Sequence, residues 1–195
     1  MDRKKALDKN NESAKLFDEL NNLHNELSAA FRSQFDRQLP FAEEVFDRWN
    51  KAETLKWGKD TSVYESSYIY GQPTVGKKVW IGPMTIIDGT GGLIIGDHCT
   101  ISAGVHIYSH NNIKQTLSAG KLPIEHAPIE IGESTYIGPQ SIITMGVSIG
   151  KHCLVGANSF INKSFPDYAI IAGNPAKQVG KVVIEENGVS FEYPR

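Results

Sequence analysis

Apolar residues recur at a fixed step of six along most of the chain: Val63, Ile69, Val75, Ile81, Ile87 and Leu93, then Ile95, Ile101 and Ile107, then Ile131, Ile137, Ile143, Ile149, Val155 and Ile161. A constant short period of this kind marks a solenoid. The next residue is often glycine (Gly76, Gly82, Gly96, Gly132, Gly138, Gly150, Gly156), and the fifth residue of the hexad is small or β-branched, as at Ser67, Val79, Thr85, Cys99, Val105, Thr135, Ser141, Val147, Cys153 and Ser159. If the fifth residue and the following first residue both point inward, the one between them points outward, which is the alternation of a short strand. The remaining residues turn a corner. Three such units close a triangular coil, and stacked coils pair one another's backbone groups while the aliphatic residues fill the interior. The pattern predicts a mainly β chain built on a parallel β-helix over residues 61–167. A β-sandwich varies its strand and turn lengths and does not hold one register over this distance.

Residues 1–60 follow a different period. Leu16, Leu20, Leu23, Leu27, Ala30 and Phe31 lie at three- and four-residue steps, the stripe of an amphipathic helix. Pro40 suits the first turn of a second helix, whose Phe41, Val45, Phe46 and Trp49 are expected to face the solenoid. This segment reads as a helical cap over the first coil, because an uncovered coil exposes unpaired strand edges. In the tail, residues 168–195, Lys181 to Tyr193 reads as a hairpin turning at Asn187-Gly188.

The 195 residues carry a formal net charge of −2 and are 40% hydrophobic, an ordinary composition that calls for no nucleic acid or other polyanion as partner. Met1 to Lys15 is charged without an apolar core, and no run reaches the ~20 apolar residues that span a bilayer, so no membrane insertion and a cytoplasmic location are expected. Cys99 and Cys153 occupy inward small positions and read as buried thiols.

The register fails at two places: a slip of two residues at Leu93/Ile95 and a gap between Ile107 and Ile131. The gap opens on Ser109-His110-Asn111 and continues through a polar stretch containing Gly120 and Pro123, which predicts a protruding loop over about 111–128. Loops on a rigid scaffold are where function concentrates. Histidine is the side chain suited to accept a proton near neutral pH, and His110 stands at the corner where the loop departs.

Taken together, Ile95-Gly96-Asp97-His98, Val105 to Asn111, the loop, Tyr136-Ile137-Gly138-Pro139, Val155 to Ser159 and Ala172 to Lys177 resemble the hexapeptide-repeat acyltransferases. Within that family the resemblance is to galactoside and maltose O-acetyltransferases and to the O-acetyltransferases of capsule and lipopolysaccharide sugars. It implies a left-handed β-helix, a homotrimer, acetyl-CoA as donor and a sugar acceptor, with surface-polysaccharide assembly as one setting. The short N-terminal motif of the galactoside and maltose enzymes is missing from Met1 to Gly58, which leaves the acceptor less defined than the donor.

By the same resemblance His110 is the general base. Tyr136, Gly138, Ala157, Asn162, Lys163 and Lys177 match or adjoin donor-binding positions, the lysines facing phosphates. Asn111 and Asp88 are candidates for binding or orienting the acceptor. Asp88 also has a second reading as a turn former at the head of Asp88-Gly89-Thr90-Gly91-Gly92, or it orients His110. The spacing of His106 and His110 does not match the zinc ligands of γ-class carbonic anhydrases, and no metal is expected. Two other readings are N-acetylation of a nucleotide-linked amino sugar and a non-catalytic β-helix scaffold.

Overall fold

The computed structural model describes residues 6–7 and 11–194. They form two compact units, Met1–Asp47 and Arg48–Arg195. In the first, helix α1 (Asn11–Phe35) follows the leucine stripe, with Leu16, Leu20 and Leu23 exposed. Helix α2 (Phe41–Val45) starts after Pro40, and the Ser28 hydroxyl donates its one proton to the buried Glu44 carboxylate, lying 2.9 and 3.0 Å from its two oxygens. The expected second helix does not continue to Trp49. Phe46 is extended, ending α2, and helix α3 (Arg48–Thr54) begins anew in the second unit. The apolar positions therefore do not share one helix face: Phe41, Val45, Phe46 and Trp49 are exposed.

The second unit is the solenoid, a left-handed parallel β-helix. Its three sheets are the faces of a triangular prism. The first face stacks Ser62–Val63, Trp80–Ile81, Thr100–Ile101, Tyr136–Ile137, Leu154–Val155 and Ala169–Ala172 in parallel. The second face stacks Tyr68–Gly71, Ile86–Gly89, His106–Tyr108, Ile142–Thr144 and Phe160–Ile161, and the third stacks Thr74–Val75, Leu93–Ile95, Ile129–Ile131 and Ser148–Ile149. The hexad accounts for this core. Every first-position residue from Val75 to Ile161 is buried, as is every fifth-position residue from Ser67 to Ser159.

The corners are as regular as the strands. At the edge between third and first faces, Lys78, His98, Ser134, His152 and Tyr168 all adopt φ between 53° and 61°, and each amide donates to the carbonyl one coil earlier. A glycine before the corner leaves room for the next coil: a Cβ on Gly132 would lie 2.5 Å from the Lys151 nitrogen. Cys99 and Cys153 are buried beneath this edge as free thiols, and burial pushes the Cys99 thiol up to about 11, so neither is a ready nucleophile.

At its start the solenoid is closed by α3 and the residues after it. Ala52 and Trp57 join the core of the first coils, and the Trp57 indole donates to the Pro73 carbonyl at 3.1 Å. At the other end Lys177–Glu185 and Gly188–Glu192 add antiparallel strands to the first face. Because Glu185 pairs with Gly188, the turn is Glu186-Asn187, one residue earlier than the Asn-Gly signal suggests.

Candidate active site

Both interruptions of the hexad register fall on one edge of the prism, between the second and third faces. The partners Ile69↔Ile87 and Val75↔Ile95 show the first: eight residues separate Ile87 from Ile95 where six separate Ile69 from Val75. The two added residues let Asp88-Gly89-Thr90-Gly91-Gly92 fold back as a turn. In the next coil the chain leaves the prism after Ser109 and returns at Ala127, whose amide donates to the Ser109 carbonyl at 3.0 Å. The excursion is more ordered than a polar loop. His110–Asn111 pairs with Glu125–His126 as a short antiparallel ladder, helix α4 (Ile113–Leu117) lies between them, and Lys114 reaches Glu125 at 2.6 Å.

Asp88 joins the two interruptions. Its carboxylate is fully buried and accepts four hydrogen bonds. Thr90 supplies two to Oδ1, from its amide at 2.9 Å and its hydroxyl at 2.6 Å. The Ser109 amide, at 2.8 Å, and His110 Nδ1, at 2.6 Å, supply the two to Oδ2. Burial works against the charged carboxylate, but the bonds from Thr90, His110 and Ser109 outweigh it and hold the pKa below its ordinary value. Asp88 is thus turn former and histidine partner at once. An ionised carboxylate only accepts, so Nδ1 of His110 carries the proton and Nε2 holds the lone pair. The imidazole remains about one-third exposed, with a side-chain accessibility of 34%.

Thr90, Gly91 and Ser109 complete the clamp; the sequence places them in the turn after Asp88 and at the corner of the gap, but gives them no role in the site. The Gly91 amide donates to Ser109 Oγ at 2.8 Å, and a Cβ on Gly91 would lie 2.2 Å from the Ser109 carbonyl oxygen, so only glycine fits. The signal that marks them is the two-residue slip. His126 is a further neighbour, its ring centroid 5.7 Å from that of His110.

Replacing Asp88 tests the clamp. An asparagine presents its carbonyl to only one pair of donors, leaving either the Thr90 pair or the Ser109 and His110 pair facing an NH2 group. Asp88→Asn is therefore expected to cost about 1–3 kcal/mol at pH 7. The folded carboxyl titrates below its ordinary value of 3.8, so its stabilisation is full above that value and is lost as the pH falls through the folded one. Urea midpoints should differ most at neutral pH and converge below pH 3.8; a constant gap down to strong acid would contradict an ionised clamp.

The other candidate residues divide between two edges. Asn111 adjoins His110, but its amide is engaged in shaping the loop, with Oδ1 accepting from the Ile113 amide at 3.1 Å and Nδ2 3.2 Å from Met145 Sδ. Asn162 and Lys163 are exposed two coils further along the His110 edge, Lys163 lying over the Phe165 ring at 5.5 Å. Gly138 and Ala157 sit instead at the edge between first and second faces, Lys177 follows the last corner of that edge, and Tyr136 projects from the first face. One chain does not bring the two groups together. Gly138 also has a stacking reason for being glycine, because a Cβ there would lie 2.6 Å from the Ala157 nitrogen. His106 turns to the Tyr108 hydroxyl, at 3.3 Å, and no cluster of three or more His, Cys, Asp or Glu side chains suited to a metal occurs among the described residues.

Comparison with known proteins agrees with this architecture. Residues 128–163 match the family model of the bacterial transferase hexapeptide (six repeats), and residues 74–109 match that of the hexapeptide repeat of succinyl-transferase. Two stretches of the solenoid thus carry hexapeptide repeats of the kind these bacterial transferases have. It is 31% identical over 111 residues to a probable acetyltransferase of Mycobacterium tuberculosis, a stretch covering 56% of this chain and only 37% of that relative. Among solved structures, a maltose O-acetyltransferase of Clostridium difficile superimposes with a TM-score of 0.60 at 25% identity, covering 88% of this chain and 89% of that one. The N-acyltransferase AntD of Bacillus cereus, solved with dTDP and 3-hydroxybutyryl-CoA, shares the fold with a TM-score of 0.57 at 21% identity, covering 69% of this chain and 89% of that one. Among the described residues no helix is long and apolar enough to cross a membrane.

Proposed function

We propose that this protein transfers an acetyl group from acetyl-CoA to a sugar hydroxyl, with His110 as general base. The observation that carries the reading is the 2.6 Å contact between His110 Nδ1 and the buried Asp88 carboxylate, at the corner from which the loop departs. Nε2 takes the proton of the acceptor hydroxyl as its oxygen attacks the thioester carbonyl, and Asp88 stabilises the imidazolium that forms. When the tetrahedral intermediate collapses, the C–S bond breaks and the CoA thiolate leaves. The imidazolium then returns its proton to the sulfur, so the products are the acetyl ester, free CoA and the starting histidine. A hydroxyl needs this base more than a neutral amine does, which favours an oxygen acceptor over nitrogen. The maltose O-acetyltransferase, alike over most of its length, supports a sugar.

Two features suit a CoA donor. Tyr136 and Ala157 are exposed beside corner amides that can bind the carbonyls of a pantetheine arm, and Lys163 and Lys177 are exposed cations suited to phosphates. Because these positions lie on a different edge from His110 or some coils away from it, the reading assigns each site to two chains of a homotrimer. Mixing tests this. His110→Ala chains and Ala157→Trp chains should each be inactive in releasing CoA from acetyl-CoA across a panel of sugars. Co-assembled, they should regain turnover at interfaces that pair an intact His110 with an intact groove. Mixed assemblies with no recovered activity would argue for a site built within one chain.

A further inference from the structure

The second face of the prism turns a column of aromatic and apolar residues outward. Tyr68, Ile86, His106, Ile142 and Phe160 follow one another in register, coil over coil, on its outer surface. Beside this column stand Tyr70, paired in register with Asp88, and Tyr108, one residue beyond the paired Ile87 and Ile107. Tyr68 and Tyr70 are 62% and 43% exposed, with ring centroids 6.5 Å apart and planes tilted by 32°, so the two present one nearly continuous aromatic shelf. Tyr70 is thus the ladder partner of Asp88, the residue that holds His110, and Tyr108 follows Ile107, the partner of the Ile87 that precedes Asp88.

At the other side of the shelf is a cleft of about 400 Å³, lined by Glu65, Ser66, Tyr68, Met84, Ile86 and His106. Its size lies within the roughly 300–1,000 Å³ of small-molecule sites, and its apolar floor with a few polar groups is the composition such sites have. Tyr68 thus borders this cleft, and Tyr70 is the ladder partner of the Asp88 that holds the base.

We propose that the second face is an acceptor track that binds a glycan of more than one sugar ring, with the ring to be acetylated at His110 and the preceding rings on Tyr70 and Tyr68. It rests on the acetyltransferase reading and names the class of its acceptor. The chemistry is that of sugar rings, whose C–H faces are apolar while their rims carry hydroxyls. A flat aromatic ring covers such a face and excludes water from it, and flanking polar groups satisfy the rim. A single sugar at His110 reaches Tyr70 at most, whereas a longer chain also covers Tyr68 and the mouth of the cleft.

The test measures CoA release with glucose, maltose, maltotriose and maltohexaose as acceptors, in wild type and in a Tyr68→Ala/Tyr70→Ala double variant. With wild type, kcat/KM is expected to rise from glucose to maltotriose and then level off. The double variant should lose that rise through KM, by roughly twofold to twelvefold for each ring contact of about 0.5–1.5 kcal/mol removed. Tyr68→Phe/Tyr70→Phe, which keeps the rings, should keep the length dependence. Turnover that is the same for every length in wild type, or a length dependence that survives in the alanine variant, would overturn the track while leaving the acetyltransferase reading intact. A second chain covering this face would give the latter result. Absence of CoA release with every acceptor would count against both.

Discussion

His110→Ala is expected to lower kcat for acetyl transfer by roughly 10²- to 10⁴-fold, the usual scale for loss of a positioned acid–base group, with little change in affinity for CoA. The size of the effect follows from how completely the imidazole is pre-set. Its Nδ1 is held 2.6 Å from a carboxylate whose remaining acceptor sites are taken by Thr90 and the Ser109 amide, so Nε2 is presented without a search over tautomers. In the proposed mechanism alanine removes the side chain that receives the hydroxyl proton and passes it to the departing sulfur. Wild-type turnover in His110→Ala would remove the base from the mechanism.

Ile143→Asp is expected to prevent folding. Ile143 is fully buried on the second face and is paired in register with Ile107 on one side and Ile161 on the other, both also fully buried. A carboxylate there has no partner, and an unpaired charge in a dry core costs on the order of several kcal/mol, comparable with the whole of an ordinary domain's 5–15 kcal/mol. Expression should give insoluble or protease-sensitive chains. Lys151→Ala, at an exposed corner of a neighbouring coil, serves as the control and should leave the urea midpoint within about 0.5 kcal/mol of wild type. Soluble Ile143→Asp protein that unfolds cooperatively would contradict the register.

The solenoid was legible because every hexad meets the same steric demand. The inward aliphatic, the small vertex residue and the glycine before the corner repeat with the geometry, so a single rule reaches from Val75 to Ile161. Elements that obey no repeat were read less well. An apolar stripe from Phe41 to Trp49 fits one helix as well as two, and only the extended backbone at Phe46 decides between them. Of the site, His110 stood out because the loop leaves beside it, and Asp88 because an aspartate replaces the glycine of its hexad. Thr90 and Ser109 had no such mark. Their roles depend on two corners meeting in space, one lengthened by the register slip and the other opened by the loop, and the slip by itself names no partner. At Gly138 the next coil by itself accounts for the missing Cβ, so the glycine alone does not mark a ligand position.

The central claim is that the Asp88-held His110 drives transfer of acetyl to oxygen, and the bond formed in the product tests it most directly. Wild-type protein, acetyl-CoA and a panel of sugars and amino sugars would be incubated, the products weighed by mass spectrometry, and the acetylated species treated with alkaline hydroxylamine, which cleaves oxygen esters and leaves amides. The account predicts a product heavier by one acetyl group, formed with equimolar free CoA, removed by hydroxylamine and missing from the His110→Ala reaction. A hydroxylamine-resistant product, formed equally well without His110, would contradict it.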